Sequence, residues 1–137
     1  MCSEAERTDI TVQTYVTALW KRFQGAEPAE GIWLSGRQRG WLEEQDQLYK
    51  DFPIERRNAA RILHEFLRIE KQLPDERDWG LAKKLEDLYH CRACAKHVAQ
   101  VVVRGLIPPQ SDKRFGLLGH MTYEEMQAVF ERAALLK

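Results

Sequence analysis

The stretch PIERRNAARILHEFL, residues 53–67, decides the fold. Ala59, Ile62, Leu63, Phe66 and Leu67 recur at the i, i+3, i+4, i+7, i+8 spacing that lays one apolar stripe along an α-helix. Pro53 suits a first helical turn, where its missing N–H costs no hydrogen bond, and the helix should end near Leu73-Pro74. A half-buried strand would alternate with period two, and this stretch does not.

The same period runs outward in both directions. From Thr8 to Gln24 the stripe is Val12, Tyr15, Val16, Leu19 and Phe23, closed by Gly25 and Pro28. Ser35 and Gln38 have capping-box spacing ahead of a segment holding Leu42, Leu48 and Tyr49. A continuous helical stripe is expected from Asp78 to Val103, through Leu81, Leu85, Leu88, Cys91, Ala95, Val98 and Val102, stopping at Gly105 before Pro108-Pro109. Thr122 and Glu125 form a second capping box, opening a last helix with Met126, Val129, Phe130 and Ala133. The one β-branched run, Val101-Val102-Val103, is flanked by helical periodicity. The expected fold class is all-α, in a single domain over residues 1–137.

Composition narrows the function. The 137-residue chain can bury one core without disulfide help. Lys+Arg and Asp+Glu both total 21, and a chain of zero net charge lacks the basic surplus that grips nucleic acid by counterion release. No apolar run reaches the roughly 18–20 residues of a membrane span, and MCSEAERTDI has no apolar signal core. Cys2, Cys91 and Cys94 are odd in number and clustered, unlike a disulfide framework. There is no nucleophile elbow, no phosphate-cradling glycine loop and no H-E-x-x-H, so a non-catalytic protein is expected.

Three helices can be laid over one another. They begin at Ile10-Thr11-Val12-Gln13, Ile54-Glu55-Arg56-Arg57 and Met121-Thr122-Tyr123-Glu124. In that register Tyr15, Ala59 and Met126 coincide, as do Ala18, Ile62 and Val129, and Leu19, Leu63 and Phe130. Arg39-Gly40-Trp41-Leu42 and Arg104-Gly105-Leu106-Ile107 precede the second and third, each placing a glycine where a left-handed residue can end a helix. The starts are unevenly spaced, 44 residues apart and then 67.

With these features the chain resembles the S-layer homology domains, whose repeat is a helix closing on G-I, a loop, then I-T-R-x-E opening a second helix. DITVQTYVTALWKRFQGAEP and PIERRNAARILHEFL look like such second helices; LEDLYHCRACAKHVAQVVVRGLI with MTYEEMQAVFERAALL looks like a nearly complete unit. The units would cover about residues 9–28, 31–73 and 78–136, the first lacking its leading helix. The resemblance implies a pseudo-threefold helical bundle at a cell surface, binding cell-wall polysaccharide or a surface protein. Without a leader or a larger parent protein, the cytoplasm is the alternative location. At the family's ligand-binding Arg this sequence has Val12, Arg56 and Tyr123, so Arg56 alone matches. Expected ligand contacts are Arg56, its neighbour Arg57, Tyr123, and Trp33 and Trp41 as aromatic platforms, although core packing is the commoner fate of such tryptophans.

One motif falls outside that resemblance. YHCRACAKH, residues 89–97, puts His90, Cys91, Cys94 and His97 on one side of a helix, within roughly a 120° arc. The simplest reading makes the cysteines small core residues and the histidines rim residues. The alternative is a structural zinc held by His90, Cys94 and His97, completed from His64, His120 or a second subunit of a homo-oligomer, since one straight helix cannot surround an ion. A redox pair is the weakest reading, because C-x-x-C chemistry favours a helix N-terminus and this one is expected mid-helix.

Overall fold

A computed structural model describes residues 9–136; Cys2 and Thr8 lie outside the described residues. The chain is all-α, as its periodicity requires. Among the described residues six helices follow in order: α1 (Val12–Gln24), α2 (Ile32–Arg39), α3 (Glu44–Leu48), α4 (Arg56–Glu70), α5 (Arg92–Val103) and α6 (Tyr123–Ala134). Two 3-10 turns, Gly80–Lys84 and Leu88–His90, lead into α5. Among the described residues no helix is long and apolar enough to cross a membrane.

The apolar stripes of α1, α4 and α6 meet in one core. Tyr15, Leu19, Ala59, Ile62, Leu63, Phe66, Met126, Val129 and Phe130 are all buried. The Tyr15 hydroxyl donates to the Ala59 carbonyl at 2.9 Å, and its ring sits 5.2 Å from that of Phe130. The expected capping box at α6 is present: Thr122 accepts from the Glu125 N–H at 3.2 Å, and Glu125 accepts from the Thr122 N–H at 2.8 Å. At α1, Thr11 accepts from the Thr14 N–H at 3.1 Å.

The segments that enter these three helices also touch one another. Isolated antiparallel bridges join Asp9 to Thr122, Thr11 to Pro53 and Glu55 to His120, so each segment pairs with both others. The Ile10 N–H donates to Met121 O at 2.9 Å, and the Ile54 N–H to Ile10 O at 3.0 Å. Ile10, Ile54 and Met121, one per segment, are buried where the three meet. Pro53 therefore lies in this junction, ahead of the Glu55 cap, and not in the first turn of α4.

Two expectations fail. Ser35 and Gln38 do not open a helix; both sit inside α2, and the capping box belongs to Glu43 and Asp46 at α3. The helix from Asp78 to Val103 is also broken. Leu85 and Cys91 are extended, and only Arg92–Val103 is α-helical. Tertiary bonds explain the break: the Glu86 N–H pairs with Lys113 O at 2.6 Å, and the buried Asp87 carboxylate accepts the N–H groups of Phe115 and Gly116 at 2.8 and 2.9 Å. A continuous helix would pull both residues off the 108–119 loop. The glycine stops do behave as expected: Gly40 and Gly105 take φ of 99° and 70°, turning Trp41-Leu42 and Leu106-Ile107 into the core.

Arg56 completes the hold on that loop. Its guanidinium donates to Phe115 O at 3.1 Å and Pro108 O at 2.5 Å, and stacks 4.6 Å from the Phe115 ring. The Phe115 residue is thus gripped at both ends, N–H by Asp87 and carbonyl by Arg56.

Candidate functional site

A cleft of about 720 Å³ opens over the junction of the three entering segments. One wall is the α3 region, with Glu43, Asp46, Tyr49 and Phe52. A second is the start of α4, with Arg57, Asn58 and Arg61. The third is the start of α5, with Cys91, Ala93, Cys94 and His97; Val12, Pro53, Glu55 and His120 also contribute. Every one of the three entering segments reaches this space.

Asp46 fixes two of those walls together. Its carboxylate is 4% exposed, accepts from both terminal nitrogens of Arg61 at 3.1 and 2.5 Å, and accepts the Glu43 N–H at 2.8 Å. This two-pronged pair joins α3 to α4. Tyr49 and Phe52, each 58% exposed with rings 5.7 Å apart, form an aromatic lip on the same edge. Arg57 is half-exposed and pairs with Glu55 at 2.8 Å.

At the third wall Cys91 caps α5 and is joined to Cys94 by a disulfide. This corrects the mid-helix expectation: the C-x-x-C stands at a helix N-terminus, because the chain leaves the preceding 3-10 turn at Cys91. The proposed His90, Cys94 and His97 set is not brought together. The Cys94 sulfur is bonded to Cys91, and His90 lies before the helix, lining a smaller cleft of about 340 Å³ beside Arg114.

His97 instead meets His64. Their Nδ1 atoms are 2.8 Å apart, both residues are 5% exposed, and His64 Nε2 lies 2.7 Å from the Asp75 carboxylate. Burial, reinforced by the neighbouring His64, pushes the His97 pKa down to about 4, so its imidazole is neutral at pH 7. Glu65 completes the group: one ligand atom from each of His64, Glu65 and His97 lies within 4.8 Å of the others. Burial pushes the Glu65 carboxyl up, but the hydrogen bond from Arg68 at 2.7 Å and its charge hold it below the usual range. The two histidines lie on α4 and α5, 33 positions apart; the sequence offered His64 among the groups that could join His97, and spacing within one helix could not single it out.

The other expected contact residues divide. Arg57 lines the cleft. Arg56 is 4% exposed and its fork is engaged by backbone carbonyls, so it is not available to a ligand. Trp41 is 1% exposed, stacked on Trp20 and edge-on to Phe66, so it is a core residue. Trp33 is partly buried and donates to Gln13 at 3.3 Å, and Tyr123 is exposed on α6, its hydroxyl accepting from Gln127. Phe52 was missed by sequence reading: it precedes Pro53 in a loop, off every helical stripe. No protein-family model matches the chain, and no curated protein or solved structure does either.

Proposed function

We propose that the chain is a non-catalytic binding module built as three S-layer homology-like units about a pseudo-threefold axis, taking a cell-surface polymer or surface protein in the large cleft. The observation that carries this reading is that all three helix-entering segments, through Val12, Pro53 with Glu55, and His120, line that one space. The bridging of each segment to both others, and the burial of two matched sets, Tyr15 with Ala59 and Met126 and Leu19 with Leu63 and Phe130, support the threefold arrangement. The lip of Tyr49 and Phe52 offers aromatic faces to sugar rings, and Arg57 and Asn58 offer donors for carboxylate or hydroxyl groups. The contact surface moves accordingly from Arg56 and Trp41 to Tyr49, Phe52 and Arg57.

The experiment is co-sedimentation of the full chain with purified cell-wall polysaccharide, for wild type and for Tyr49→Ala, Phe52→Ala and Arg57→Ala. All three side chains are at least half-exposed or surface-paired, so the variants should fold. Saturable binding that each substitution weakens supports the reading. Failure of the wild type to bind polysaccharide or extracted surface protein removes it.

A further inference from the structure

The pairing of His64 with His97 is unusual for two core side chains. Both rings are buried on the two helices that pack most extensively, and their Nδ1 atoms face one another at 2.8 Å. A hydrogen bond accounts for the contact only if one ring donates and the other accepts. The surroundings add features that a simple hydrogen bond does not require. A Glu65 carboxylate oxygen lies within 4.8 Å of a ring nitrogen of each histidine. Asp75 holds His64 through its far nitrogen at 2.7 Å, the outer partner that fixes a ligating imidazole with its near lone pair directed inward. His97 borders the large cleft, which supplies a path for an ion to enter.

We propose that His64, His97 and Glu65 form a binding site for a divalent transition-metal ion, with Asp75 as the outer residue that orients His64. Two imidazoles and one carboxylate are a borderline nitrogen–oxygen donor set, which suits zinc and leaves one tetrahedral position for water. Tetrahedral ligation at about 2.0–2.1 Å requires the two nitrogens to move apart by about half an ångström from their present 2.8 Å contact. Arg68 engages the Glu65 carboxylate at 2.7 and 3.3 Å, leaving a lone pair on each oxygen for the ion. This site differs from the His90, Cys94 and His97 set in having no sulfur ligand, and it stands independently of any polymer bound in the cleft.

The test uses the full chain, stripped with a chelator and titrated with zinc ions by calorimetry, with the ligand atoms read by X-ray absorption. One saturable site per chain is expected, with only nitrogen and oxygen neighbours and a raised thermal midpoint. Glu65→Gln and Asp75→Asn change partly exposed side chains, and their folding is checked by circular dichroism. Asp75→Asn should weaken affinity 10- to 100-fold and Glu65→Gln at least tenfold. His64→Gln with His97→Gln should abolish binding, and Cys91→Ser with Cys94→Ser should leave it unchanged. Absence of saturable binding overturns the proposal. So does sulfur ligation, dependence on the cysteines, or indifference to both Glu65→Gln and Asp75→Asn.

Discussion

Replacing Arg56 by methionine keeps the aliphatic stem and removes the guanidinium. In the native protein that group makes two charge-assisted hydrogen bonds, to Phe115 O at 3.1 Å and Pro108 O at 2.5 Å, and stacks on the Phe115 ring. Such bonds contribute about 1.5–3 kcal/mol each, and the stacking about 1 kcal/mol more. Against this stands the cost of burying the cation, the same desolvation that lowers the Arg56 pKa despite the opposing charges of Glu125 and Asp87. A net loss of about 3 kcal/mol is expected for Arg56→Met. Arg56→Lys should lose about half as much, because a point ammonium cannot serve both carbonyls in a fixed fork. Urea unfolding reads both: with a slope of about 2 kcal/mol/M, the methionine variant's midpoint should fall by about 1.5 M. Arg57→Ala, which removes only a surface pair, should shift stability by less than about 1 kcal/mol. If Arg56→Met unfolds within about 0.5 kcal/mol of wild type, the clamp on the 108–119 loop is not a structural element and the reasoning fails.

Ile54 is fully buried where the three entering segments meet, so Ile54→Ala should cost about 2–5 kcal/mol by calorimetry or urea titration; a cost under about 1 kcal/mol would mean the junction is not packed. His97 supplies a pH dependence, measured with chelator present. Its folded pKa of about 4 lies below the 6.5 of the unfolded chain, so on acidification the unfolded state takes the proton first. The stabilisation is full above about pH 6.5 and is lost progressively toward pH 4. Wild type should therefore be about 2 kcal/mol less stable at pH 5 than at pH 7, and His97→Gln should lack that step. Equal slopes in the two proteins would assign the effect elsewhere.

The elements legible in the sequence are those set by local rules. The stripes of α1, α4 and α6, the Thr122–Glu125 box and the stops at Gly40 and Gly105 depend on period, short-range bonding and backbone freedom, all visible within a few residues. The break before α5 was not legible, because it is imposed by Asp87 and Glu86 bonding to a loop almost 30 residues away. That same long-range bonding moved the C-x-x-C from mid-helix to a helix start. Arg56 and Trp41 had the residue types of a binding surface; burial decided otherwise, and a single sequence does not display which face of a residue meets the core. Of the expected ligand contacts Arg57 lines the cleft and Arg56, Trp33, Trp41 and Tyr123 do not, whereas His64 and His97 meet through the packing of α4 on α5.

The central claim is that the cleft over the three-segment junction is the binding surface. Amide chemical-shift mapping of the isotope-labelled full chain, titrated with solubilised cell-wall polysaccharide, addresses it at residue level. The account predicts shifts that saturate together at Tyr49, Phe52, Arg57, Asn58 and Cys94. Shifts confined to the outer surface of α6, around Tyr123 and Gln127, or none at a large excess of polymer, would contradict it.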